Sequence, residues 1–414
     1  MWATGPRRTC VVSYQNSSKL CFFKSIEVQK NTTMALKFNP SRRTTLRTTS
    51  LWAATSLLPA LAQPKRAETQ AKSITIVQFA DMSAGQIDVS KDFVIGSRAA
   101  WQEINLTGGV RGRAVMHRVI EVDGTDAGLR SAISAIEGQA GVVACMGTVG
   151  AKAAVDVAIA LQREAPDLPH IAPWLPSSKL DATRNTFAIF ASRQAQISHA
   201  VRSLSVMGVP ELGAVYATKS EFNSHHAEIE SVASQLKIRL KAYGPAPDLS
   251  EIAQTLTADS PRVLVFLGGT PELMQLSQAI EKQGALRYII AMSDVNLLTL
   301  SQMGKSQHAR VIATQVVPLV NSNIPMVRQY RESLAKLFDE PPTPQGLAGY
   351  LSARYTHQAM LIADTTPSRQ SLLQTLQRRV SSDIAGFRID LTDPHATGTF
   401  VTQSMLSTDG RIVG

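Results

Sequence analysis

Cysteine is scarce in this chain, which holds three among its 414 residues. Three cysteines cannot build a disulfide framework. Apolar residues make up 44% of the chain, so a packed core can form without one. Cys10 and Cys21 lie near the N-terminus, which leaves Cys145 alone in the main body. It falls inside an apolar run, where we expect an inert core thiol.

The body of the chain also lacks a surplus of basic residues, although the whole chain carries a net charge of +10. Residues 1–62 hold 9 of the 42 Lys and Arg and 1 of the 32 Asp and Glu, so the remainder carries only +2. A surface that follows nucleic-acid phosphates needs basic residues in the folded body. We therefore expect no nucleic-acid partner.

Motifs of catalysis, cofactor binding and metal binding are absent as well. Gly304-Lys305-Ser306 imitates the end of a phosphate-binding loop, but Thr299 occupies the position that requires a glycine. His225 and His226 are adjacent, so they point to different faces of a helix and cannot form an i, i+4 zinc pair. No Gly-x-Ser-x-Gly elbow or dinucleotide fingerprint occurs. We expect no enzyme, no cofactor and no metal.

The N-terminal region has the layout of an export signal. A basic segment at residues 41–47 precedes an apolar run at 51–58 and a small-x-small cleavage pattern at 60–62. The run is far shorter than the ~20 residues that span a bilayer, so no stable membrane insertion is expected. The paired arginines resemble a twin-arginine signal, but Thr45 departs from that motif, and the export route stays open.

We therefore assign residues 34–62 as a signal peptide and residues 1–33 as an extension that precedes the true start at Met34. Gln63, and not a cysteine, stands directly after the cleavage pattern, so a lipid anchor is not expected. These features predict a soluble protein in the periplasm of a Gram-negative cell.

Beyond residue 73, short apolar runs alternate with amphipathic stretches. Buried strands are predicted at 74–79, 142–146, 212–216, 263–267 and 288–292. Between them apolar residues recur at a period near 3.6, as in core-facing helices. Residues 321–380 read as mostly helical, and short strands return near 387–389 and 400–405. This alternation predicts an α/β fold of βαβ units, with too many units for one sheet and hence two lobes.

Several strings resemble the type I periplasmic binding proteins of the leucine/isoleucine/valine-binding class, which serve ABC transporters. They are residues 99–112 (AAWQEINLTGGVRG), 142–150 (VVACMGTVG), 314–330 (TQVVPLVNSNIPMVRQY) and 386–410. The resemblance implies two Rossmann-like lobes with open, mostly parallel sheets and three crossovers. It assigns lobe 1 to residues 73–191 and 319–394, and lobe 2 to residues 192–318 and 395–414.

The resemblance also implies a function. A monomer would capture a small organic molecule, such as an amino-acid-like compound, a carboxylate or an aromatic compound, and deliver it to an inner-membrane ABC permease. A ligand-sensing module for a signalling receptor remains the alternative, because the same fold would serve both. Neighbouring permease genes would favour transport, and a membrane-spanning signalling partner would favour sensing.

In open α/β sheets ligands bind beyond the carboxyl ends of the strands. We therefore expect the ligand to contact the loops that follow the strands along the chain. Thr148 and Val149 lie in a Gly-Thr-Val-Gly loop that opens a helix, where free N–H groups favour an anion such as a carboxylate. An ordinary turn is the alternative. Ser83 and Ala84 follow the first strand; Ser83 could donate a hydrogen bond or simply cap a helix.

The remaining candidates follow other predicted strands. Trp174 and Ser177 lie in a loop whose tryptophan departs from the family and either stacks on a ligand or packs in its lobe. Phe222 replaces the family's tyrosine, with a core role as the alternative.

Two acids in lobe 2 are further candidates. Glu272, next to Thr270 in a Gly-Thr-Pro-Glu loop, could pair with a ligand ammonium or serve as helix-start chemistry. Asp294 is a comparable candidate, because it also follows a predicted strand.

Overall fold

The computed structural model of the chain describes residues 73–139, 141–174, 184–302, 306–392 and 398–414. All of them lie in one structural unit, Glu68–Gly414. The predicted N-terminal extension and signal peptide lie outside the described residues.

The described residues form short strands that alternate with helices along most of the chain. The strands are β1 Ile74–Asp81, β2 Val115–Val122, β3 Val142–Met146, β4 His170–Ile171, β5 Thr186–Phe187, β6 Glu211–Tyr216, β7 Arg239–Tyr243, β8 Val263–Leu267, β9 Arg287–Ala291, β10 Ala309–Gln315, β11 Ser382–Ile384, β12 Phe387–Ile389, β13 Thr402–Leu406 and β14 Ile412–Val413. The helices are α1 Ile87–Leu106, α2 Asp126–Glu137, α3 Ala151–Glu164, α4 Arg193–Val206, α5 Lys219–Gln235, α6 Leu249–Thr255, α7 Thr270–Gln283, α8 Leu297–Gln302, α9 Pro325–Leu337, α10 Pro344–Ile362 and α11 Arg369–Gln377.

Two open sheets organise these elements into two lobes. The first sheet has the order β2-β1-β3-β4-β5, and all of its pairs are parallel. The second has the order β14-β13-β10-β9-β8-β6-β7. Its strands β6 to β10 pair in parallel, whereas β13 and β14 join antiparallel at one edge. The predicted α/β fold with open, mostly parallel sheets is confirmed.

The chain crosses between the lobes three times. It leaves the first sheet after β5, returns after β10, and enters the second sheet again at β13. The helices α9, α10 and α11 bury their apolar faces in the core of the first lobe, together with α1. The predicted crossovers are therefore confirmed, whereas the residue-level boundaries of the two lobes stay a prediction.

Close packing of α1 against α10 positions the first lobe's contribution to the cleft. A Cβ atom added to Gly96 would lie 1.7 Å from the backbone oxygen of Gly346, and one on Gly349 would lie 1.9 Å from the oxygen of Phe93. Only glycine allows the two helix backbones to approach this closely. The N-terminal end of α10, with Gln345, is thereby fixed beside α1.

The predicted strands are all present, shifted by no more than two residues at an end. The helical stretch after β10 and the short strands near the C-terminus are confirmed as well. Cys145 is fully buried in β3, and burial raises the pKa of its thiol to about 12, as expected for an inert core thiol. Within the described part of the chain, no helix is both long and apolar enough to cross a membrane.

Candidate functional site

A small cavity lies where the loops after the strands of the two sheets meet. Its space is about 10 Å³, room for about one water molecule, so the lobes are closed upon each other here. The walls come from both lobes: Ala151, Trp174, Phe190, Ala191, Arg193, Gln196, Ser293, Asp294 and Val316. This is the carboxyl-end position at which open α/β sheets bind ligands.

A buried charge cluster forms one side of the cavity. Arg193 donates from Nη1 to Oε2 of Glu221 at 2.6 Å and from Nη2 to Oδ2 of Asp294. Nη1 also lies 3.3 Å from Nε2 of His225. The same Nε2 lies 3.6 Å from Oε2 of Glu221, so the imidazole borders both members of this ion pair. Side chains of Arg193 and Asp294 are only 5% and 9% exposed, so the ion pair is shielded from water.

The cation of this cluster begins α4, which is an unusual position. Ser192 caps the helix by accepting from the backbone N–H of Ala195, and Arg193 follows directly. Positive charge is unfavourable at the positive end of a helix dipole. Burial opposes the charged form too, but Asp294 and Glu221 outweigh it and raise the pKa of Arg193. The two carboxylates therefore hold a cation where the helix alone would disfavour it.

The ionised form of the Asp294 carboxyl is disfavoured by its surroundings, in spite of its ion pair with Arg193. Burial raises the pKa of this carboxyl, Arg193 lowers it, Glu221 raises it further, and the net direction is upward. Two carboxylates share one guanidinium, which leaves one negative charge uncompensated within this set of contacts. One more positive charge near Asp294 would stabilise the cluster.

Two glutamines from opposite lobes hold the backbone N–H and C=O of Ser293. Oε1 of Gln196, on α4, accepts from the Ser293 N–H at 2.9 Å and from the hydroxyl of Thr314 at 2.8 Å. Nε2 of Gln345, on α10 in the first lobe, donates to the Ser293 oxygen at 3.0 Å and to the Val295 oxygen at 3.1 Å. The loop that carries Asp294 is therefore fixed by both lobes.

A third interlobe hydrogen bond holds the same loop. Nδ2 of Asn296 donates to Oδ2 of Asp92, on α1, at 2.9 Å. The Asn296 N–H donates to Oγ1 of Thr270 at 3.0 Å, which fixes the loop to α7. Burial raises the pKa of Asp92, against the opposing effect of its hydrogen bonds to Thr343 and Asn296.

Aromatic rings form the apolar side of the cavity. The Trp174 ring centroid lies 5.7 Å from that of Phe93 in an edge contact and 5.4 Å from that of Phe190. Trp174 is 6% exposed, so most of its ring belongs to the first-lobe core while one part lines the cavity. Packing in the lobe, one of the two interpretations offered by the sequence, is therefore observed, whereas stacking on a ligand stays a prediction. Ser177, from the same predicted loop, lies outside the described residues.

The Gly-Thr-Val-Gly loop does not present its hydroxyl to the cavity. Thr148 is fully buried, and its Oγ1 bonds Nε2 of His170 at 2.8 Å, within the first lobe. Burial lowers the pKa of His170 to about 3, so this partner is neutral. Val149 is buried too, and its N–H and oxygen bond the β1 backbone. Their placement does not support the predicted ligand contacts, because both side chains face the core.

The N-terminus of α3 is also occupied by a protein group. Oε1 of Gln86 accepts from the backbone N–H of Ala151 at 3.2 Å, the position at which an anion was expected. In the loop before Gln86, the Ser83 N–H donates to Oδ1 of Asp81 at 2.9 Å, and Ala84 is exposed. Neither Ser83 nor Ala84 lines the cavity.

The other predicted lobe-2 residues, except Asp294, also lie away from the cavity. Phe222 stacks on His226 with centroids 4.5 Å apart and packs edge-on against Tyr216, which is the core role considered as its alternative. The Thr270 hydroxyl is taken by Asn296. Glu272 lines a separate surface groove beside the loops that follow β6 and β7. Of the predicted lobe-2 candidates, the structure brings only Asp294 to the cavity wall.

Sequence reasoning missed the residues that hold this wall together: Arg193, Gln196, Glu221 and Gln345. One signal was available, because a lone arginine directly after a capping serine opposes the helix dipole. The glutamines carry no comparable signal. Among the described residues, no group of three or more His, Cys, Asp or Glu could hold a metal ion.

A comparison with profiles of known protein families identifies the family of this chain. The profile of the periplasmic binding protein family matches residues 73–408. The chain therefore belongs to the type I periplasmic binding protein family. A comparison with curated protein sequences found no match.

Solved structures of similar fold cover most of the chain. An extracellular ligand-binding receptor from Verminephrobacter eiseniae has 20% identity and a TM-score of 0.74, over 83% of this chain and 100% of that one. A fatty acid ABC transporter substrate-binding protein from Thermomonospora curvata has 15% identity and a TM-score of 0.72, over 83% and 91%. The branched-chain amino acid transporter substrate-binding protein LivJ from Streptococcus pneumoniae, in complex with isoleucine, has 15% identity and a TM-score of 0.69, over 82% and 98%. At these identities the likeness concerns the fold.

Proposed function

We propose that this chain is an exported solute-binding receptor that closes its two lobes around a small organic molecule and delivers it to an ABC-type permease. The observation that carries the proposal is the cavity whose walls come from both lobes at the carboxyl ends of their strands. Its mixture of aromatic surface and a few buried polar groups is typical of small-molecule sites. Membership of the periplasmic binding protein family supports the same role.

The mechanism follows from the contacts across the cleft. The cavity holds about one water molecule, so a solute can enter only when the lobes separate. Gln345 and Asp92 join the lobes through the loop after β9, which also carries Asp294. A solute bound to that loop and to Trp174 would favour the closed arrangement by differential binding, and the permease would recognise the closed form.

Related solved structures support a transport role, since they include an ABC transporter protein for fatty acids and another for branched-chain amino acids. Delivery to a permease would place the mature chain in the periplasm, in agreement with the export signal expected at residues 34–62. Deletion of the gene should abolish uptake of the bound solute, whereas a sensing role would leave uptake intact.

A thermal-shift screen of amino acids, aromatic acids, amides and amines tests the binding proposal directly. A ligand that binds only the folded state raises the melting temperature by mass action. We expect at least one compound to raise it in proportion to the logarithm of its concentration. No shift from any compound at about millimolar concentration would contradict a receptor role for molecules of these classes.

A further inference from the structure

The charges and hydrogen-bond donors around the cavity indicate which class of solute the chain binds. This inference rests on the proposed function. An anionic solute needs donors that the protein leaves available. Both Nη atoms of Arg193 already donate to carboxylates. The Ala151 N–H donates to Gln86, and the Thr148 hydroxyl is bonded to His170 in the core.

Two further hydrogen-bond donors at the wall are engaged in the same way. The Ser293 N–H donates to Gln196, whose own amide nitrogen donates to the Ala191 oxygen at 3.3 Å. The donors named here are thus bonded to the protein itself. A solute carboxylate that used these donors would have to displace their bonds, and it would enter beside Asp294, a like charge.

For a cationic solute, the charge beside the cavity is attractive. Arg193, Asp294 and Glu221 as ions together carry one net negative charge, and His225 lies beside Glu221 and does not line the cavity. Asp294 lines the cavity, while Glu221 does not. The aromatic residues Trp174 and Phe190 line the same cavity, and ring faces attract cations as well as apolar groups.

We propose that the solute is an amine with an aromatic or apolar body, bound through its ammonium group to Asp294, rather than an amino acid or a carboxylate. The ammonium supplies the positive charge that the cluster lacks, and the body lies against Trp174 and Phe190. No group on the solute is required at the N-terminus of α3, because Gln86 already occupies it.

Three probes of similar size separate the alternatives: 2-phenylethylamine, phenylalanine and 3-phenylpropanoate. Isothermal titration of the full chain should give an affinity for the amine about tenfold or more above that for either carboxylate-bearing probe. Tighter binding of phenylalanine or 3-phenylpropanoate would overturn the inference while leaving the receptor function in place.

Two variants test the assigned contact. Asp294→Asn leaves Arg193 paired one-to-one with Glu221 and should weaken amine binding by about tenfold or more. Asp259→Asn is the matched control, an exposed acid of the same lobe that does not line this cavity, and it should change the affinity by less than about twofold. An unchanged amine affinity in Asp294→Asn would overturn the assignment.

If Asp294→Asn does not fold, Glu221→Gln removes the same excess charge without altering the wall. It should lower the preference for 2-phenylethylamine over 3-phenylpropanoate, and an unchanged preference would overturn the inference. Failure of all three probes to bind wild-type chain also overturns it; a solute of another charge found in the wider screen would then still support the receptor function.

Discussion

Replacement of Arg193 by methionine removes the single cation from the buried cluster and leaves Asp294 and Glu221 without their partner. Both carboxylates lose a direct hydrogen bond to the guanidinium, and Asp294 is almost fully shielded from water. Removal of one member of a buried ion pair typically costs about 3–5 kcal/mol, because the remaining charge is buried alone. We expect Arg193→Met to lower the free energy of unfolding at neutral pH by about this amount.

The dependence on pH identifies the cause. Burial already raises the folded-state pKa of Asp294, and the loss of Arg193 raises it further. A carboxyl whose folded-state pKa lies above its unfolded value binds a proton preferentially in the folded state. The loss of stability caused by Arg193→Met is therefore full at pH values above the folded-state pKa of Asp294, and it becomes smaller as the pH falls through that pKa.

Urea denaturation at several pH values measures this effect, with the free energy of unfolding obtained by linear extrapolation. Arg239→Met is the matched control, because the Arg239 side chain is 80% exposed and its 3.3 Å contact with Glu211 lies at the surface. An exposed pair contributes about 0–1 kcal/mol. A loss in Arg193→Met no larger than in the control, or one that grows towards acidic pH, would refute the reasoning.

Three further expectations follow from single residues. Burial opposes ionisation of Glu281, but hydrogen-bond donors in the segment before β10 lower its pKa to about 2. The stability that Glu281 contributes is therefore present above about pH 4.5 and is lost as the pH falls towards 2. Glu281→Gln should flatten the acid side of a plot of melting temperature against pH, and an unchanged plot would contradict this. Gly150→Ala should lower the free energy of unfolding in urea by about 1–3 kcal/mol, because φ is +112° and the new Cβ would lie 2.4 Å from that of Asp81. The control Gly138→Ala, with open space and a negative φ, should change it by less than about 0.5 kcal/mol. Equal effects of the two variants would exclude strain at Gly150. Gln345→Leu leaves two carbonyls of the other lobe without a donor and should increase the radius of gyration of the ligand-free chain in solution scattering, an effect that an identical scattering curve would rule out.

The strand cores could be predicted because they are apolar on both faces, as β3 and β8 are. Strand β2 was not predicted, since His117 and Arg118 interrupt its apolar pattern. It lies at the edge of the first sheet, where partly exposed side chains are tolerated. The pairing order of the strands was not predicted, because periodicity alone does not specify which strands are neighbours.

The site was predicted less completely than the fold. Strand-end loops gave its general position, and Asp294 and Trp174 were found by that rule. The rule does not specify which way a side chain turns, and Thr148 turned to His170 because a buried hydroxyl needs a partner. Gln345 comes from a helix of the other lobe, far along the chain from Ser293, so only the folded structure brings the two together.

Solution scattering with and without the compound that gives the largest thermal shift tests the central claim most directly, namely that a solute holds the two lobes together. Saturation of the chain should reduce the radius of gyration and sharpen the distribution of interatomic distances. Stoichiometric binding with an unchanged scattering curve, in both wild-type chain and Gln345→Leu, would contradict lobe closure on the solute.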